Sequence, residues 1–66
     1  MFNKEVINYN NKLYIIYRKL KSDHIKEKYV QEIKNYWLCD MVVRHNNQNG
    51  QYFLFLREIS EAELVD

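Results

Sequence analysis

Residues 37–59, WLCDMVVRHNNQNGQYFLFLREI, decide how this chain folds. Two runs of β-branched, aromatic and aliphatic residues flank an amide-rich centre, the pattern of two strands joined by a tight turn. Asn49-Gly50 supplies the turn, because both residues accept the positive φ of a two-residue hairpin loop. Strands over 37–45 and 51–59 would then set His45 opposite Leu54 and Val43 opposite Leu56. Side chains alternate along a strand, so the hairpin sorts into two faces. One carries Cys39, Met41, Val43, Tyr52, Leu54 and Leu56. The other carries Leu38, Val42, Phe53 and Phe55, interrupted by Asp40, Arg44 and Arg57.

Upstream, residues 4–9 and 12–20 read as a second hairpin around Asn10-Asn11, since asparagine tolerates left-handed backbone. That turn pairs Ile7 with Tyr14 and Val6 with Ile15. It puts Val6, Leu13, Ile15 and Tyr17 on one side, and Ile7, Tyr14 and Ile16 on the other. Between the hairpins, residues 23–36 predict a helix. Ser22 and Asp23 are cap candidates, and Ile25, Tyr29, Ile33 and Trp37 recur every four residues. The tail, residues 60–66, starts with a capping serine and predicts one helical turn. The expected fold is α+β: a single domain over 1–66, of order β-β-α-β-β. Its antiparallel sheet comes from two hairpins, with one helix packed on one face and a short C-terminal helical turn.

Both sides of both hairpins carry large apolar residues. A helix of about 14 residues is roughly 21 Å long and covers one face of such a sheet. The other face then needs a cover of its own. A two-fold homodimer is the expected cover, because a chain of 66 residues is close to the lower limit for burying a sufficient core. A different protein, or a curled sheet that closes on itself, would serve the same purpose. Phe53, Phe55, Tyr14 and Arg57 are the expected anchors of the uncovered face. Asn47 and Asn49 of the loop are a second point of partner contact.

Composition excludes several classes. At 47% hydrophobic and 15% aromatic residues the chain is too apolar for disorder. No apolar run reaches the roughly 20 residues of a membrane-spanning helix, and the first residues lack a signal-peptide layout. A single cysteine forms no internal disulfide and suits a reducing, cytoplasmic setting. Net charge is +1 but uneven: residues 1–34 hold eight Lys/Arg against four Asp/Glu, and residues 35–66 hold two against five.

No catalytic, cofactor or metal motif is present. Cys39 and His45 would lie about 20 Å apart along one strand, too far for a nucleophile and its base. His24, Cys39, Asp40 and His45 lack ligand spacing, and one glycine does not make a phosphate loop. Each is more simply a core thiol or a surface polar group. Arg18, Lys19, Lys21, Lys26 and Lys28, interleaved with tyrosines, could hold phosphates, which makes a nucleic-acid-binding regulator the alternative function. Asp23 and Glu27 interrupt that stretch. The tail carboxylates Glu58, Glu61, Glu63 and Asp66 are too few for a strong phosphate mimic.

Eight asparagines among many Lys, Ile and Tyr give the chain a composition that resembles small accessory proteins of phages infecting low-GC bacteria. The resemblance lies in size and composition and transfers no residues. It implies a non-enzymatic protein-interaction module that inhibits a host enzyme or defence complex from the host cytoplasm.

Overall fold

A computed structural model describes residues 5–64 of the chain. The first hairpin forms as its sequence predicts. Strands β1 (Val6–Tyr9) and β2 (Lys12–Lys21) meet through Asn10 and Asn11 at φ of 53° and 66°, with Ile7 opposite Tyr14 and Val6 opposite Ile15. Residue 4 of the expected first strand lies outside the described residues.

The second hairpin, β3 (Met41–Asn47) and β4 (Gly50–Glu58), turns one residue earlier than expected. Asn47 pairs with Gly50, so the loop is Gln48-Asn49. The Asn49 amide donates to the Asn47 side-chain oxygen at 2.8 Å, and the positive φ, 125°, falls on Gly50. The asparagine thus closes the turn with its side chain and leaves the glycine to absorb the twist at the start of β4. His45 therefore faces Tyr52 and Val43 faces Leu54, a slip of two places along β4. Because side-chain direction repeats every two residues, an even slip leaves every residue of β3 and β4 on its expected face.

The four strands form one antiparallel sheet in the order β1-β2-β4-β3. The two hairpins join through β2 and β4, whose register breaks between Ile16 and Arg18. Tyr17 is the extra residue of this bulge, a device that bends and twists a strand.

The connection between the hairpins departs most from expectation. The continuous helix predicted over 23–36 is instead two 3-10 turns, Ser22–His24 and Glu27–Tyr29, followed by a short helix α1 (Val30–Tyr36). Ile25 and Lys26 are extended, and no side chain caps any of the three segments. Ser22 instead donates to Gln51 of β4 at 3.4 Å. The extended pair lets Ile25 pack against the sheet, while Val30, Ile33 and Trp37 form the inward stripe of α1. Tyr29, expected inward, is exposed beneath the Lys28 ammonium.

Helix α1 ends in a Schellman arrangement. The Leu38 amide donates to the Asn35 carbonyl at 3.1 Å and the Cys39 amide to the Lys34 carbonyl at 2.9 Å, with Leu38 at φ 56°. This cap consumes residues 37–40, so the third strand begins at Met41 rather than 37. Cys39 accordingly packs with Phe53 and Phe55, not with Met41 and Val43.

Two apolar clusters lie on opposite sides of the sheet. Beneath α1, Val30, Cys39, Phe53 and Phe55 form one, flanked by Tyr17, Leu20, Ile25, Ile33, Trp37 and Val42. Trp37 stands edge-on to Phe55 at 5.1 Å between ring centres and to Tyr17 at 6.0 Å. On the other side Tyr14, Ile16, Leu54 and Leu56 form the second. After β4, Ile59 is buried and its amide donates to Leu13, and a 3-10 turn follows at Glu61–Leu64. Residues 65–66 of the expected tail turn lie outside the described residues. No helix among the described residues is long and apolar enough to cross a membrane.

Candidate functional site

Phe53 and Phe55, expected on the uncovered face, are 5% and 0% exposed in the cluster beneath α1. The helix chose the aromatic face because that face alone offers Phe53, Phe55 and Val42 as a continuous floor for Ile33 and Trp37. The uncovered face is therefore the one carrying Tyr14, Ile16, Leu54 and Leu56. Its central side chains are nonetheless shielded within the single chain, with Tyr14 4% and Leu56 0% exposed.

Curvature accounts for this. One groove of about 800 Å³ is lined both by Ile7 and Tyr9 of β1 and by Val43 and His45 of β3, although these strands are opposite edges of the sheet. A flat sheet would hold its edges apart. The bulge at Tyr17 bends β2, and the edges rise around a concave face. The groove floor is Ile16 and Leu54, with Val43 and Tyr52 half-buried along its wall.

Strand register decides what rims the groove. Lys19 sits beside Leu54 and Val43, and Lys21 beside Tyr52 and His45. Lys19 pairs with Glu5 at 3.2 Å. Asn47 and Asn49 line the same groove at the turn. The rim thus combines the Lys19–Glu5 ion pair with the amides of Asn47 and Asn49 around an apolar floor. His45, expected only as a surface polar group, and Tyr52, its partner across the strands, both line the groove. The period-two pattern places them on this face, but a curled sheet was needed to make the face a groove.

Tyr14 belongs to the concave face but is buried. Arg57, expected as an exposed anchor, instead ties α1 to the sheet. Its Nη2 donates to the Trp37 carbonyl at 2.5 Å, and its guanidinium lies 3.8 Å from the Tyr17 ring centre. A cation at the carbonyl end of a helix also complements the helix dipole. Among the described residues the buried Nε of Arg57 has no hydrogen-bond partner.

The basic stretch divides. Arg18 stacks over Tyr17 and Trp37 on the helix side, whereas Lys19 lines the groove and Lys21 shares its face of the sheet. Lys26 and Lys28 lie on the connection before α1. His24 pairs with Asp23 at the surface, at 3.8 Å. Cys39 is buried at the end of α1 and donates to the Trp37 carbonyl at 3.8 Å, while His45 is exposed on the other face. Burial pushes the Cys39 thiol above its ordinary value, and the neighbouring Arg57 partly opposes this. Among the described residues no three His, Cys, Asp or Glu side chains come together as a metal-binding group.

No protein-family model, curated protein or solved structure matches this chain.

Proposed function

We propose that this protein is a small, non-enzymatic protein-interaction module that holds an acidic, apolar segment of another protein in its concave groove. The observation that carries the reading is the groove itself. An apolar floor of Ile16 and Leu54 is bordered by His45 and by Lys19, which pairs with Glu5, while Lys21 lies on the same face and Arg44 turns to Glu27 on the helix side. An apolar floor supplies affinity, and the basic side chains Lys19 and Lys21 on the same face favour an acidic partner. A domain of this size that occupies the surface of a larger protein acts by obstruction. This agrees with the phage-accessory composition and with inhibition of a host enzyme or defence complex.

Selection from a random peptide display library on the immobilised protein tests the reading. Peptides rich in Asp/Glu and in aliphatic or aromatic residues are expected, and their binding should be lost in Val43→Glu and kept in Lys12→Ala. Recovery of no peptides, or of peptides indifferent to Val43→Glu, overturns it.

One observation favours a second reading. Lys19 and Lys21 share a face with Tyr52 and His45, a set that could stack a base and hold its phosphates. Binding of a single-stranded oligonucleotide that collapses as salt rises would favour nucleic acid over peptide.

A further inference from the structure

The C-terminal end of α1 presents the two most exposed large apolar side chains among the described residues, Tyr36 at 83% and Leu38 at 80%. Leu38 also holds the left-handed backbone of the helix cap, at φ 56°, a position glycine fills readily because it has no Cβ to meet the following carbonyl. The chain therefore keeps leucine where it strains the backbone and places an apolar side chain in water. Strain of this kind persists where the side chain has a task.

Beside Leu38 lies a recess of about 480 Å³ lined by Leu20, Ile33, Tyr36 and Trp37, with Glu32 as its charged border. Arg18 lies over the Trp37 ring at 5.7 Å from its centre. Among the described residues neither Glu32 nor Arg18 has an ion-pair partner. One patch thus carries a projecting apolar side chain, an apolar recess, an unpaired carboxylate and an unpaired guanidinium.

We propose that this patch is the interface of a two-fold homodimer. Leu38 of each copy seats in the recess of the other, and Glu32 of each meets Arg18 of the other. A two-fold interface brings a patch against itself, so it must be self-complementary, and adjacent knob and recess with opposite unpaired charges meet that condition. The patch lies on the helix side of the sheet, opposite the groove. The dimer therefore leaves both grooves open, and the proposal stands or falls independently of the groove reading.

Sedimentation over a range of concentrations tests it. The wild type is expected to approach twice its chain mass of 8.2 kDa as concentration rises. Leu38→Gly and Tyr36→Ser should each weaken the dimer roughly tenfold or more, as truncation of an interface anchor does. Leu38→Gly should melt no lower than the wild type as a monomer, because it relieves the strained cap. Glu32→Arg should weaken the dimer, and adding Arg18→Glu in the same chain should restore it. A wild type that keeps a single chain's mass at every concentration, or a dimer that Leu38→Gly and Tyr36→Ser leave intact, overturns the proposal. Loss of the dimer in Val43→Glu rather than in Leu38→Gly would also overturn it, by placing self-association in the groove.

Discussion

Gly50 shows how one residue can carry a turn without sitting at its centre. At φ 125° it occupies backbone space that residues with a Cβ avoid, yet a Cβ built there meets nothing within 4 Å. The cost of Gly50→Ala is therefore conformational rather than steric, on the order of 1–2 kcal/mol. Chemical denaturation should show that loss with an unchanged slope. Cys39 supplies a second test. Its thiol is raised in the folded state mainly by burial, so the folded chain binds more protons than the unfolded one once pH passes the ordinary thiol range. Stability from this group is then fully present below about pH 8.5 and is lost as pH rises. Cys39→Ala should flatten the alkaline fall in melting temperature. An equal fall in both proteins would assign it to other groups.

Helix α1 is too short to be stable alone, so its place is set by what it covers. Val30, Ile33 and Trp37 stand on Phe53 and Phe55, and Arg57 fastens the helix end through the Trp37 carbonyl. Phe55→Ala, at a residue with no exposed surface, should cost about 3–5 kcal/mol. A domain of this size has on the order of 3–10 kcal/mol in total. The variant should be largely unfolded by circular dichroism at 37 °C. A folded Phe55→Ala chain impaired only in binding would return Phe55 to the surface role its sequence suggested.

Across the whole molecule, the two clusters share the backbone of β2 and β4, so neither side of the sheet has a support of its own. Unfolding should be one cooperative event. Trp37 fluorescence, which reports on the helix side, and far-ultraviolet circular dichroism, which reports on the whole sheet, should give coincident denaturation midpoints. Separate midpoints would mean that α1 detaches before the sheet opens.

The residues alone determined the two hairpins, the pairing of Ile7 with Tyr14, and which side chains of β3 and β4 share a face. These follow from local rules, namely asparagine's tolerance of positive φ and the two-residue period of a strand. Tyr52, His45 and the apolar floor of the groove could be assigned to a face in this way, whereas Lys19 and Lys21 reach that face only because the bulge at Tyr17 reverses the alternation of β2. Only the tertiary structure decided which face the connection would cover, because both faces are apolar and periodicity does not rank them. It also decided that the predicted helix would break at Ile25-Lys26, since packing Ile25 and Val30 together outweighs a few tenths of a kcal/mol per residue of helix preference. The groove and the strained Leu38 cap were hidden for the same reason. One depends on how far a bulged sheet curls, the other on where a helix must stop to let Cys39 reach the core, and both are settled by contacts between residues distant in sequence.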